Sequence, residues 1–293
     1  MSLTSWTTRF SQIHRPTLRS RARHVALSAA ALSAGLTGRI AAALKRPRVH
    51  FVYFHHVFED EVEPFRGLVR TLTSVMRPID YSEGVERVLS NRIDRPYVTF
   101  SFDDGFKNCT TASKILEEFN ARACFFVCPN IIGLRNQDRI EDFCRERLHL
   151  PPVEFMNWND LEGLMKRGHE IGNHSASHSN LNSEAKSLHA EVADSVELMR
   201  SRLGETIRHF AWPYGHFNAI TRDAIDLVFA SGHRSCASGQ RGAHVVGAKS
   251  TDALCIRRDH VIAAWPKAHV LYLLAKSARH ASAADNDWPS HLK

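Results

Sequence analysis

From residue 49 to about residue 280, short apolar runs alternate with segments of helical length and period. Residues 49–54, 97–102, 123–127, 207–212, 232–237 and 254–258 read as strands, and so does the first part of 169–178. Residues 65–76, 82–89, 108–121, 158–167, 183–203, 220–229 and 270–279 read as helices. Strand–helix alternation at this spacing implies parallel strands joined by right-handed crossovers. About seven such units predict a barrel with a missing or irregular strand rather than an open sheet. At 293 residues the chain has room for one large α/β domain or two small ones.

One strand ends unusually. Thr99-Phe-Ser-Phe stops on Asp103-Asp104-Gly105, and a helix follows. Gly105 lets the chain turn. Two adjacent carboxylates repel, so a pair held at a strand end points to a nearby cation. The plainer reading is an acidic turn that caps the next helix.

A second constellation is His174-Ser-Ala-Ser-His178, placed on a strand-end loop or a helix start. On a helix, a spacing of four puts both imidazoles on one face. In a chain with 18 histidines, about one such pair is expected by accident. Context strengthens it. Every strand of a parallel barrel presents its carboxyl end to the same rim, so the Asp pair, the His pair and Pro213-Tyr214-Gly215 are expected to converge. Two imidazoles, one carboxylate and a water make an open, catalytic metal site. The remaining carboxylate is then free to act as a base on the attacking water.

The rest of the chain bounds the reading. The formal charge of +7 is concentrated in residues 1–48, which hold nine Arg or Lys and no acidic residue. Such an arm suits an anionic surface: phospholipid, acidic glycan or nucleic acid. No nucleic-acid-binding motif accompanies it, so nucleic acid is set aside. Residues 25–44 are rich in Ala and Leu but broken by Gly35, Gly38 and Arg39. That is too short and interrupted for a transmembrane helix, and the basic leader is unusually long for a signal peptide. A segment lying on a membrane surface fits somewhat better, with a plain surface helix or a disordered arm equally open. The six cysteines lack metal-type spacing, and Cys124 and Cys128 fall in an apolar run, as small buried hydrophobes do. Without a disulfide pattern or a clear export signal, a cytoplasmic or membrane-peripheral place is expected, export being the alternative. Residues 129–152 read as a polar insertion, a loop or lid, and residues 281–293 as a polar tail. Tyr53, Trp158 and Trp212 are candidate sugar-stacking walls, each more simply a core residue, and Cys109 has no basic partner that would make it a nucleophile.

The motifs together resemble the NodB-type polysaccharide deacetylases. Ser101-Phe-Asp-Asp-Gly105 is similar to that family's T-F-D-D-G motif, and His174-Ser-Ala-Ser-His178 to its second, histidine-bearing motif. Residues 168–174 and Phe210-Ala-Trp-Pro-Tyr-Gly215 also resemble family segments, and the likeness runs from about Val49 to Val261. The resemblance implies a single catalytic domain over residues 49–280, a distorted (β/α)7 barrel. It implies a divalent metal, zinc first and cobalt second, held by Asp104, His174 and His178, with Asp103 as catalytic base. It also implies that the backbone N–H of Tyr214 helps stabilise the oxyanion.

Two departures stand out. The family's third motif often begins with an Arg that steadies the base, and here that position is Ala211. Arg258 is a candidate substitute, although an ordinary surface or salt-bridged arginine is the preferred reading. The late Leu-His motif that supplies the family's general acid is absent. Some members instead have a strand ending in [YF]-H-x-V, which Phe54-His55-His56-Val57 resembles, so His55 is nominated as acid, with His56 and His260 as alternatives. The expected activity is hydrolysis of an N-acetyl group on an amino sugar of a polysaccharide or glycan precursor. Deformylation of a lipid-linked amino sugar and a catalytically silent glycan-binding barrel are the alternatives.

Overall fold

The computed structural model describes residues 6–14, 16–182, 187–247, 254–277 and 288–292. Its strands are β1 (Arg48–Phe54), β2 (Arg77–Pro78), β3 (Pro96–Phe102), β4 (Ala123–Val127), β5 (Glu170–Asn173), β6 (His209–Ala211), β7 (Ser235–Ala237), β8 (Ala243–His244), β9 (Cys255–Ile256) and β10 (Asp259–His260). Its α-helices are α1 (Phe10–Ile13), α2 (Leu18–Leu36), α3 (Arg39–Leu44), α4 (Val62–Val75), α5 (Tyr81–Leu89), α6 (Cys109–Glu117), α7 (Gln137–Phe143), α8 (Trp158–Lys166), α9 (Ser195–Leu203), α10 (Arg222–Ala230) and α11 (Lys267–Ser277).

Local chemistry sets several boundaries. Asn157 caps α8 by accepting from the Asp160 N–H, and Asp160 reaches back to the Asn157 N–H at 2.8 Å. The same helix stops at Gly168, whose φ of +84° suits glycine. Thr221 caps α10 by accepting from the Ala224 N–H at 3.2 Å.

The sheet runs in the order β10-β1-β3-β4-β5-β6-β7-β9, and every neighbouring pair on this path is parallel. Residues 255–260 serve two neighbours. Their first part, β9, pairs with β7, and their last part, β10, pairs with β1. This one run therefore closes the circuit as the seventh strand, and the ladder is interrupted at Arg257-Arg258. The arrangement is the expected distorted (β/α)7 barrel. The short strands β2 and β8 were not expected; they flank β3 and β1 at their amino-terminal halves.

Alternation along the strands builds two cores. Phe51, Tyr97, Cys124, Phe126, Ala211, Ala237 and Ile256 face the barrel interior. Val52, Phe54, Phe100, Phe102, Phe125 and Val127 face the surrounding helices. Helix α5 closes the barrel from below: Tyr81 packs on Phe51 and Phe126 with ring centroids 5.1 and 5.4 Å apart. Gly84 makes that approach feasible, because a Cβ there would lie 2.6 Å from Thr99 Cγ2.

Several expectations need correction. The long helix over 183–203 falls partly outside the described residues, and its described part contains a π-turn at Ala190–Asp194 before α9. The insertion at 129–152 carries α7 and a π-turn through Leu148. In the tail, residues 281–287 lie outside the described residues, but Trp288 is buried and stacks on Trp212 at 5.5 Å. Trp212 is thus core, as is Tyr53, whereas Trp158 is half-buried at the start of α8. Residues 18–44, within the expected basic arm, form α2 and α3, which pack on α11. Among the described residues no helix is long and apolar enough to cross a membrane.

Two buried histidines away from the rim give a pH prediction. Burial pushes both His233 and His244 down to about 4, although each ring hydrogen-bonds backbone. Both titrate near 6.5 once unfolded, so the unfolded chain binds more protons below that pH. Stability is full above about pH 6.5 and falls toward pH 4, by up to about 3 kcal/mol per ring. Tm is expected to drop over this interval, with a shallower drop in His233→Asn; an unchanged slope would assign the acid sensitivity elsewhere.

Candidate active site

Register brings the predicted residues to one rim. Phe54 pairs with Phe102, and the Asp103 N–H donates to the Phe54 carbonyl at 3.0 Å, so β1 and β3 end level. The His174 N–H donates to the Val127 carbonyl at 3.0 Å, and Asn173 pairs with Phe210. Asp103, His174 and the loop after β6 therefore open on the same end of the barrel.

The His pair does not lie on a helix. Residues 175–177 form a turn, with Ser175 and His178 at φ of +62° and +55°. Asp104 and Tyr214 are also left-handed, at +74° and +65°. Four non-glycine residues in this sparsely populated region cluster at one rim, as is usual where surrounding structure holds functional groups in place.

Asp104, His174 and His178 meet as the sequence suggests. Asp104 Oδ1 lies 3.4 Å from Nε2 of each imidazole, and the ligand atoms of all three fall within 4.8 Å of one another. The His174 Nδ1–H donates to the Ala211 carbonyl at 2.7 Å, which fixes the tautomer and leaves Nε2 as a lone pair. Oδ1 of Asp104 is buried without a well-formed hydrogen bond, as is Nδ1 of His178. Donor atoms about 2.0–2.1 Å from a tetrahedral zinc are about 3.4 Å apart, which is the observed spacing of the Asp104 oxygen from each imidazole. The residues therefore fit a divalent cation. Burial opposes charge on Asp104, yet the two imidazoles hold its carboxyl well below the usual range. Burial likewise opposes charge on His174, and the Asp103 and Asp104 carboxylates raise its pKa regardless.

Asp103 is held differently. Arg258 grips both its oxygens, Nη1 on Oδ1 and Nη2 on Oδ2, each at 2.8 Å. Of the surface or salt-bridged arginine preferred from sequence, the salt bridge is present but the surface position is not: Arg258 is 1% exposed, its Nε–H donates to the Ser238 carbonyl, and its guanidinium lies 4.3 Å from the Tyr53 ring centroid. Burial works against its charge, but Asp103 raises its pKa above the ordinary value. It sits where the seventh strand changes partners, between β7 and β1.

His55 and His56 diverge. His56 Nδ1 bonds Glu61 at 2.8 Å. His55 Nδ1 lies 3.1 Å from His260 Nε2, a contact that leaves its own Nε2 unused. Burial lowers the His55 pKa, and the charges of Asp104 and Asp103 partly offset this. Burial and the His55 ring lower His260 to about 2, so His260 is a neutral partner. Cys109 is buried, with its thiol pushed well up, and donates to the His55 carbonyl.

Tyr214 lies over the cluster, its ring edge-on to His178 at 4.9 Å. Its loop is pinned to Gly239: a Cβ on Gly215 would come within 2.4 Å of the Gly239 nitrogen, and Gly215 has φ of +65°. Sequence reasoning missed the Ala211 and Ser238 carbonyls as partners, because backbone acceptors leave no residue signature.

A family model described as polysaccharide deacetylase matches residues 90–228. Over that segment the chain is similar to the polysaccharide deacetylases. The match includes Asp103, Asp104, His174, His178 and Tyr214, while His55 and Arg258 lie outside it. Solved structures share the fold. A polysaccharide deacetylase from Bacillus cereus aligns with a TM-score of 0.61 at 12% identity, over 78% of this chain and 69% of that one. The deacetylase PplD of Streptococcus pyogenes, solved with acetate, gives 0.61 at 13%, over 78% and 99%. IcaB from Ammonifex degensii gives 0.59 at 18%, over 78% and 98%. At such identities the likeness is one of fold. No curated protein matches significantly.

Proposed function

We propose that this protein is a polysaccharide deacetylase, a metal-dependent de-N-acylase that removes acetyl groups from amino sugars of a glycan or its lipid-linked precursor. The observation that carries it is the pairing of a clamped carboxylate, Asp103, with a separate Asp–His–His cluster fit for a cation. A divalent ion held by Asp104, His174 and His178 would acidify a water and polarise the acyl carbonyl. Asp103 takes the proton of the attacking water, with Arg258 holding both its oxygens in place. As the carbonyl oxygen gains charge, the Tyr214 N–H is the preorganised donor toward it. The C–N bond then breaks, and His55 delivers a proton to the departing amine. Neutral His260 supports the cationic ring, its Nε2 accepting a hydrogen bond from the His55 Nδ1–H. The products are a free amino sugar and acetate. A cytoplasmic, membrane-peripheral location is part of this proposal.

Acetate and formate release from N-acylated oligosaccharides and nucleotide- or lipid-linked sugars, with Zn2+ or Co2+ and with chelator, tests the reading. Chelator is expected to abolish release and metal to restore it. Asp103→Asn is expected to lose about 10³-fold in rate while still binding metal. No release from any acylated amino sugar by metal-loaded protein would overturn the proposal.

A further inference from the structure

Helix α2 is poorly explained by the barrel. Of its 19 residues only Ala31 is buried. Leu18, Val25, Leu32 and Leu36 are 86, 67, 64 and 81% exposed. Their spacing of seven, seven and four places them on one stripe. The helix is nonetheless anchored: Ser28 Oγ is 2.8 Å from His269 Nε2, and His24 packs edge-on to the same ring. Between α2, α3, α11 and the end of α4 lies a cavity of about 820 Å³, walled by Ile40, Ala41, Leu44, Val75, Pro266 and Leu271.

The charge around this groove has one sign. Arg19, Arg21, Arg23, Arg39, Lys45 and Lys267 lie on or beside these helices, and residues 18–45 and 267–277 contain no acidic residue. None of these cations has an ion-pair partner among the described residues. An isolated surface helix gains nothing from such a stripe in water. An apolar stripe and an apolar groove flanked by cations are complementary to one surface, an anionic phospholipid layer.

We infer that the α2–α3–α11 face is a membrane-docking site for anionic phospholipid, with the stripe laid into the acyl boundary and a lipid chain in the groove. This adds a defined site to the membrane-peripheral reading above. None of the residues changed in its test is assigned to the catalytic rim, so its test needs no turnover.

The full chain is sedimented with vesicles of phosphatidylcholine alone and with added phosphatidylglycerol. Binding is expected only to the anionic vesicles, weakening severalfold at about 0.5 M salt. Leu32→Asp with Leu36→Asp is expected to weaken binding at least tenfold. Arg39→Glu with Lys45→Glu is expected to remove the preference for anionic lipid. Release of acetate from a soluble oligosaccharide should be unchanged in both. Wild-type protein that ignores anionic vesicles overturns the site, as does retained binding in the leucine variant. Concentration-dependent dimerisation abolished by the same leucine changes would also overturn it, assigning the face to a second copy. Inactivity toward every sugar would sink the de-N-acylase reading and leave vesicle binding untouched.

Discussion

Arg258→Met is expected to lower kcat by about 10²- to 10³-fold while metal content stays at the wild-type level. The guanidinium fork is the only side-chain contact that fixes both oxygens of Asp103 among the described residues. Methionine fills similar volume but leaves the carboxylate buried without a cation, which costs about 3–5 kcal/mol of stability. Lysine restores charge without the fork, so Arg258→Lys should recover only part of the rate. The decisive readout is a double-mutant cycle. If Arg258 acts through Asp103, adding Arg258→Met to Asp103→Asn should cost little further activity. Additive losses would show that Arg258 supports the barrel seam and not the base.

Asp104→Asn has the second large effect. Asparagine tolerates the left-handed backbone at φ of +74°, so the change removes the charge and leaves the turn. Bound zinc, measured by elemental analysis after dialysis, is expected to fall from one equivalent to near none, and acetate release by about 10³-fold or more. Full metal occupancy in this variant would remove Asp104 from the ligand set. The same measurement on His174→Ala separates loss of a ligand from loss of charge.

How much of this was readable from the residues follows from distance along the chain. Asp103-Asp104-Gly105 and His174/His178 are local patterns, and β3, β4 and α8 follow from period and caps within a few residues. Their convergence also followed, because parallel strands put all carboxyl ends on one rim. The form of the His pair did not. A helix and a left-handed turn both bring residues four apart together, and the turn was chosen by packing after β5.

The sequence alone determined the alternation of strands and helices, the carboxylates at the end of β3 and the histidines after β5, because each rests on contacts between near neighbours. Only the tertiary structure decided what holds Asp103. Its partner lies 155 residues away, at the point where the last strand leaves β7 for β1. No local propensity encodes which arginine fills that seam. The choice is made when the barrel closes and a buried carboxylate must find a buried cation.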